Sequence, residues 1–306
     1  MNALQILLLV AAAVFVVLLA GSYRVAWGYA RFVTLSLAAI VILMPFFWLI
    51  CSAFKDKGVL NEYTFLPPIN KIDSSTINLD NFRELFAEQQ TAQGPVRFWR
   101  YMANSLFLAS SGTALSLLFS SMGGYALAKY RFRGRGAIVL FMLACLTIPP
   151  VALLSPNFVV IWQLGWLDSY KALLVPAAVS ILGMFLFRQA LLGVPDDLIE
   201  AGRIDGCGEF RIYLSLAMPL VRPMTGAFCL ISFLGMWNSF LAPNVYLQTQ
   251  AKLPLPVVLN QYIGTYTQQY GVFLAGTLVA IIPPAILFFA LQREFISGLT
   301  SGAVKQ

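Results

Sequence analysis

The chain has 306 residues, of which 59% are hydrophobic and only 11% are charged. Soluble globular domains carry about 25% charged residues, so this composition excludes an ordinary soluble domain and a disordered chain. It indicates a helical protein that crosses the membrane several times. The chain has no histidine, which removes the commonest metal ligand and the usual proton carrier near neutral pH. Its cysteines form no CxxC pair and are interpreted as inert thiols; they are Cys51, Cys145, Cys207 and Cys229.

Runs of about 20 apolar residues, the length that crosses a bilayer, predict seven transmembrane helices and an all-α polytopic fold. The predicted spans are residues 2–21, 33–54, 103–128, 136–155, 171–187, 223–241 and 272–291. The first run could be a signal peptide. However, residues 1–5 contain no Lys or Arg and no small-x-small cleavage site is evident, so we predict that it stays as a helix.

The basic residues predict the orientation of these spans, because cytoplasmic loops carry the excess of Lys and Arg. With the loop 22–32 inside, the inner segments carry twelve basic and six acidic residues, against eight and seven outside. The cluster at 129–135, with sequence KYRFRGR, gives the strongest signal. The N-terminus is therefore predicted outside and the C-terminus in the cytoplasm. Because topology accounts for the net charge of +7, no nucleic-acid partner is predicted.

The predicted spans contain no Asp, Glu, Lys or Arg in their interior, although such residues mark proton relays, ion sites and voltage sensors. This argues against a proton-coupled transporter, a voltage-gated channel and an intramembrane hydrolase. No GxxxxGK[ST] motif for ATP is present, so energy for active transport would have to come from a partner. Prolines interrupt several spans, either as simple kinks or as breaks that line a cavity; they are Pro45, Pro149, Pro150, Pro176, Pro283 and Pro284.

Three segments between the spans are long: 55–101 and 242–271 outside, and 188–222 inside. In the inner segment, a short helix is predicted from Pro195 to Asp205 and ends at Gly206. Eleven residues are too few for a stable isolated helix, so it must pack on something. Glu200 is either free to pair with an arginine of another protein or paired with Arg203 three residues on. A second short helix is predicted at 209–216.

This inner segment resembles the EAA loop of ABC importer permeases. The matching positions are Glu200, Ala201, Asp205, Gly206, Pro219 and Pro223. Further stretches resemble the carbohydrate, maltose-type branch: Asn104–Ser105, YALAKYRFRGR at 125–135, IPP at 148–150, FRQALLGVPDDLIEAGRIDG at 187–206, MWNSFLAP at 236–243 and QREFISGLTSGAVK at 292–305. The chain departs from the family pattern at Gly202, Cys207 and Gln306.

The resemblance implies a type I permease core of six helices over 33–306, preceded by an extra transmembrane helix and cytosolic link at 1–32. It also implies that the EAA helix docks on a cytosolic ATPase and transmits its closure to the spans. The implied docking residues are Glu200, Ala201, Gly202, Asp205 and Gly206. Gly302 and Lys305, in the tail 298–306, would lie near the ATPase dimer.

The same resemblance implies the partners. They are a second, paralogous permease, two ATPase subunits that bind ATP and magnesium in place of this chain, and an external solute-binding protein that contacts 244–268. The substrate would be a sugar. Trp237 and Asn238 are candidate pathway residues, although Trp237 could equally be a packing or interfacial aromatic. A permease for another solute class, or a passive channel or scaffold, stays open as an alternative.

Overall fold

The computed structural model describes residue 14, residues 22–264 and residues 268–303, with the backbone alone for 297–303. The predicted helix 2–21 therefore lies outside the described residues, apart from residue 14. The chain folds into two compact units, 1–81 and 82–306.

The first unit contains helix α1, Tyr23–Ala53, of 31 residues. At 1.5 Å per residue it is about 46 Å long, more than the roughly 30 Å of hydrocarbon that a span must cross. The chain then folds back on itself. Lys55 is fully buried and donates from Nζ to the carbonyl oxygens of Tyr63 and Thr64. The Asn81 amide donates to the carbonyls of Ala53 and Lys55, at 3.0 and 2.7 Å.

Helix α2, Asp80–Phe86, falls at the boundary between the units, and the second unit continues with a short antiparallel hairpin. This hairpin pairs β1, Gln89–Thr91, with β2, Gly94–Val96. The longer helices of the unit are α3 (Phe98–Lys129), α4 (Arg135–Leu146), α5 (Leu154–Gln163), α6 (Lys171–Ala177), α7 (Ile181–Leu192), α8 (Asp196–Ile204), α11 (Arg222–Trp237) and α14 (Tyr270–Ala303). The shorter ones are α9 (Glu209–Ile212), α10 (Met218–Leu220), α12 (Leu241–Tyr246) and α13 (Leu255–Gln261).

By length and composition, four of the described helical segments can cross a membrane alone: Tyr23–Ala53, Phe98–Lys129, Lys171–Leu192 and Tyr270–Ile296. Two helix pairs pass the same test only when their two parts are counted together, and both pairs are bent. Helix α4 and the segment Pro150–Gln163 meet at 95°, and Glu209–Leu220 meets α11 at 87°. Each of the six spans predicted after residue 32 overlaps one of these segments, four of them single helical segments and two of them bent pairs.

Two details of the prediction are wrong. The predicted span 136–155 is not one helix, because Pro149 and Pro150 supply no backbone donor and the helix stops at Leu146. The predicted second short helix does not end at 216 before Pro219. It continues through a wide π turn at Tyr213–Ala217 into α10, where Pro219 occupies the first turn and needs no donor.

Helix α3 is the centre of the second unit, packing along both α7 and α11, while α11 packs along α14. Glycine permits the closest approach. A β carbon at Gly124 would lie 2.6 Å from the Phe187 β carbon and 2.9 Å from the backbone nitrogen of Arg188. Ser120 completes the contact, because its hydroxyl accepts from the Ser180 nitrogen at 3.0 Å. The backbones of α3 and α7 are therefore held in direct contact near the turn that leads to α8.

Candidate functional site

Helix α8 is the short helix that the sequence predicted between Pro195 and Gly206. Pro195 caps it, and Asp196 and Asp197 occupy its first turn, where negative charge is favourable to the helix dipole. Gly206 has φ +76°, the left-handed conformation that ends many helices and suits glycine. The predicted boundaries are correct to one residue at each end.

The two faces of α8 differ in polarity. Ile199 and Gly202 are buried, whereas Glu200, Ala201 and Asp205 are exposed. A β carbon at Gly202 would come within 2.8 Å of the Leu216 side chain, so glycine lets α8 lie tightly on the segment that follows it. Gly202 therefore faces its own protein, and of the residues predicted to dock, Glu200, Ala201, Asp205 and Gly206 are the exposed ones.

The structure distinguishes between a Glu200 that pairs with Arg203 and a Glu200 that is free to pair with another protein. Arg203 bonds to Glu209, with Nε to Oε1 at 2.7 Å and Nη2 to Oε2 at 3.3 Å, so the predicted pair of Glu200 with Arg203 is wrong. Within the described part of the chain, the exposed Glu200 carboxylate has no ion pair or hydrogen bond. It is available to a partner outside this chain.

An apolar cluster anchors the buried face of α8 to the spans. Ile199 packs with Ile212 and Tyr213 from the following segment and with Leu191 and Phe187 of α7. Tyr213 also pairs its hydroxyl with Ser121 Oγ of α3 at 2.7 Å. One buried cluster therefore contains residues of α8, α7 and the π turn, which connects the buried face of α8 to the spans.

A cavity of about 290 Å³ lies beside the break between α4 and α5. Its lining is mostly apolar, with polar groups from Ser105, Asn157, Ser239 and Tyr246. The bend forms one wall through Pro150 and Leu154, and the end of α6 another through Pro176. Here the interpretation of the prolines as breaks that line a cavity is confirmed for Pro150, whereas Pro176 lines the cavity from inside α6. Asn157 and Ser239 were not predicted as lining residues, because isolated polar residues near span ends carry no distinctive pattern.

The two predicted pathway residues differ in exposure. Trp237 is buried and stacks on Phe233, with ring centroids 5.6 Å apart, so it is a packing residue in this arrangement. Asn238 is exposed and lines a second cavity of about 380 Å³ together with Pro150 and Ser239. Of the predicted tail residues, Gly302 continues the backbone of α14, and Lys305 lies outside the described residues.

This arrangement defines a class of protein: a polytopic helical membrane protein with a short, half-exposed helix between two of its spans. The model of binding-protein-dependent transport system inner membrane components matches residues 116–299. The chain belongs to this family. It is therefore an inner-membrane permease component of an ABC importer, which works with an ATPase and a solute-binding protein. It is not itself an enzyme, because ATP hydrolysis belongs to a separate subunit.

Relatives match almost the whole chain. The arabinooligosaccharides transport system permease protein AraQ of Halalkalibacterium halodurans is 38% identical over 87% of this chain and 92% of its own. The maltodextrin transport system permease protein MdxG of Bacillus subtilis is 32% identical over 89% and 94%. The lactose transport system permease protein LacG of Rhizobium radiobacter is 31% identical over 90% and 95%.

A solved structure supports the fold. It is a chain of a bacterial ABC transporter involved in the import of the acidic polysaccharide alginate, with a TM-score of 0.75 and 23% identity. The match covers 88% of this chain and 96% of that one.

Proposed function

We propose that this chain forms half of the pathway by which a sugar or oligosaccharide enters the cell after release from an external solute-binding protein. The relatives that match it over nearly their whole length are named for arabinooligosaccharide, maltodextrin and lactose transport. A second, paralogous permease supplies the other half. Two ATPase subunits provide the energy, and ATP and magnesium bind to them.

The observation that carries the coupling part of this proposal is the exposed carboxylate of Glu200, which has no partner among the described residues, on a helix whose other face packs in the cluster shared with the spans. Glu200 pairs with an arginine of the ATPase, with Ala201, Asp205 and Gly206 around the contact. Gly202, on the opposite and buried face of α8, lets the helix pack closely on the segment that follows it. The tail around Gly302 and Lys305 lies near the ATPase dimer. A passive channel or scaffold would have no use for such a surface.

Transport then follows from alternating access. Closure of the ATPase dimer on ATP draws the docking helices of the two permeases together, and the anchored spans open the pathway to the outside. Asn238, on the wall of the second cavity, and the polar residues Asn157 and Ser239 of the first cavity face the pathway. Trp237, which is buried at the end of α11, holds the adjacent Asn238 in position.

The proposed orientation places the N-terminus outside and the C-terminus in the cytoplasm. The basic cluster at 129–135 and helix α8 then lie on the cytoplasmic side, as ATPase docking requires. Segments 55–101 and 242–271 face outward, and 244–268 contacts the binding protein.

The test uses the complex purified with its partner subunits in nanodiscs, with ATP hydrolysis measured with and without solute-loaded binding protein. We expect loading with an oligosaccharide to stimulate hydrolysis. Glu200→Ala should reduce both assembly with the ATPase and the stimulated rate by about tenfold, the loss of one charged contact across an interface. Arg211→Gln is the control, because it removes an exposed charge from the next helix.

Two results would contradict the proposal. Stimulation by amino acids or peptides but not by any sugar would show that the solute belongs to another class. Unchanged assembly, hydrolysis and uptake in Glu200→Ala would show that α8 does not couple the subunits.

A further inference from the structure

Two consecutive residues at the end of span α3 hold the two ends of the docking helix. Lys129 reaches the first turn of α8, donating from Nζ to the Val194 carbonyl at 2.5 Å and to Asp196 Oδ1 at 2.6 Å. The Lys129 side chain is only 3% exposed, so this is not a loose surface contact. It joins residues 67 positions apart and fixes the start of α8 to α3.

Tyr130 reaches the other end of the docking helix through Glu209. The Tyr130 hydroxyl donates to Glu209 Oε2 at 2.7 Å, and the same carboxylate receives both hydrogen bonds from Arg203 in the last turn of α8. An exposed ion pair alone contributes little. Here, however, the arginine is bidentate and a third group fixes the carboxylate, which gives the contact a defined geometry.

The pKa shifts of Tyr130 and Asp196 favour the protonation states that these hydrogen bonds require. Burial and the hydrogen bond to Glu209 raise the pKa of Tyr130 to about 12, so the hydroxyl keeps its proton and continues to donate at physiological pH. The hydrogen bond from Lys129 lowers the pKa of Asp196, so that carboxylate stays charged.

Span α3 is well placed to receive a displacement of α8. Its backbone touches that of α7 at Gly124, and Ser121 is joined to Tyr213 in the π turn. The Lys129 ion pair and the Tyr130 hydrogen bond at the end of α3 are therefore joined through this helix to the packed centre of the second unit. Because α8 is connected to the end of α3 at two points, a rotation of α8 would displace both points. Two connections constrain the direction of the resulting movement of α3 as well as its size.

We propose that Lys129 and Tyr130 form a two-point clamp, Lys129–Asp196 at one end and Tyr130–Glu209–Arg203 at the other, that converts movement of the docking helix into movement of span α3. These are positioning residues that touch neither solute nor nucleotide. The inference rests on the proposed coupling function of α8 and adds the residues that carry the motion onward.

The test compares uptake per ATP hydrolysed in proteoliposomes. Tyr130→Phe removes one hydroxyl and Glu209→Gln removes one charge, and neither changes the exposed face of α8. We expect assembly with the ATPase and basal hydrolysis to persist, while stimulation by the loaded binding protein and uptake per ATP fall about fivefold, the effect of one hydrogen bond to a charged group. The exchange Arg203→Glu with Glu209→Arg should restore part of the ratio, because it rebuilds the ion pair.

The other point of the clamp has a matched control on the same turn. Asp196→Asn and Asp197→Asn both remove one negative charge near the helix start, but only Asp196 pairs with Lys129 among the described residues. We expect Asp196→Asn to lower uptake per ATP more than Asp197→Asn does. Equal effects would show that only the helix dipole is involved and would overturn this part of the clamp.

Hydrogen exchange separates failure of the clamp from failure of the proposed function. In Tyr130→Phe, the amides of residues 196–212 should exchange faster than in wild type and in Arg211→Gln, whether or not the complex transports a sugar. Unchanged exchange together with unchanged uptake per ATP in Tyr130→Phe and Glu209→Gln would overturn the proposal. A wild-type complex without solute-stimulated hydrolysis would contradict the proposed function. The clamp would then be tested by the hydrogen-exchange result alone.

Discussion

Gly123 and Gly124 are neighbours on α3 that meet different kinds of atoms. A β carbon at Gly124 would lie 2.9 Å from the Arg188 nitrogen and from the Met184 carbonyl oxygen, which belong to the backbone of α7. At Gly123 the nearest atom would be the Met184 sulfur at 2.7 Å, which is part of a flexible side chain. The first contact can be relieved only by moving a helix, whereas the second needs only a new rotamer.

We therefore expect Gly124→Ala to destabilise the protein and Gly123→Ala to be nearly neutral. Overpacking against backbone costs about 1–3 kcal/mol, more than the roughly 1 kcal/mol gained in helix propensity by replacing glycine. The measurement is the midpoint of thermal unfolding of the complex in nanodiscs. Equal midpoints for the two variants would show that α3 and α7 can separate freely at this position.

Arg203 shows what sequence reasoning missed at the residue scale. The spacing of Glu200 and Arg203 suggested a pair within the helix. The structure pairs Arg203 with Glu209 instead, because the left-handed turn at Gly206 returns the chain towards α8. Tyr130 joins the same carboxylate from 79 positions away, and no local pattern can reveal a contact at that separation.

At the element scale, Asp168 joins two segments that lie between spans. Its carboxylate accepts hydrogen bonds from the Gln248 and Thr249 nitrogens, at 3.0 and 2.8 Å, and from Lys252 Nζ at 2.7 Å. It adopts φ +56°, a conformation that Asp and Asn tolerate better than most residues. The loop before α6 is thereby fastened to the segment that we propose meets the binding protein.

The charge of Asp168 gives this fastening a pH dependence. Burial raises the pKa of Asp168, but the hydrogen bonds from Lys252 and Thr249 outweigh burial and hold it well below its ordinary value. A carboxyl group with a lowered folded-state pKa stabilises the fold fully above its unfolded-state pKa. The contribution is lost as the pH falls below about 4.

We expect Asp168→Asn, which keeps the tolerance for positive φ, to speed amide exchange in residues 246–252 at pH 7. The difference from wild type should shrink as the pH falls below about 4, because the Asp168 carboxylate of the opened segment then gains a proton and opening of the wild-type segment becomes easier. Lys171→Gln, which removes an exposed charge at the first residue of α6, is the control. A difference that persists unchanged at low pH would mean that the charge is not what fastens the loop.

The spans themselves were predictable because hydropathy is a local property. Each predicted span after residue 32 overlaps a helix or bent pair of the structure. Their bends were only partly predictable: prolines marked the break at 149–150, but the 87° bend before α11 arises where α10 packs in the cluster around Tyr213 and Val221. The cavity at the first bend depends on helices that meet only after folding, so its lining could not be predicted.

At the scale of the whole molecule, the proposed orientation is open to a direct test. Ile69 is 91% exposed in the first unit, and Arg211 is exposed on α9. In chains whose four native cysteines are replaced by serine, we expect a membrane-impermeant maleimide to label Ile69→Cys in intact spheroplasts. Arg211→Cys should be labelled only after permeabilisation, because it lies with the docking helix on the cytoplasmic side.

Labelling of Arg211→Cys in intact spheroplasts would reverse the orientation and remove the ATPase docking function of α8. Permeabilised cells provide the control, since both cysteines should then react. The excess of basic residues at 129–135 is the physical basis for the expected result.

The broken span has a consequence for how the chain is made. Helices α4 and α5 have 12 and 10 residues, about 18 and 15 Å in length, and neither alone reaches across roughly 30 Å of hydrocarbon. A later segment contacts the start of α5, where the Tyr246 hydroxyl donates to the Leu154 carbonyl. That partner is synthesised 92 residues later. The nascent chain therefore lacks this contact when α4 and α5 are made, and the contact can form only after residue 246 has been synthesised.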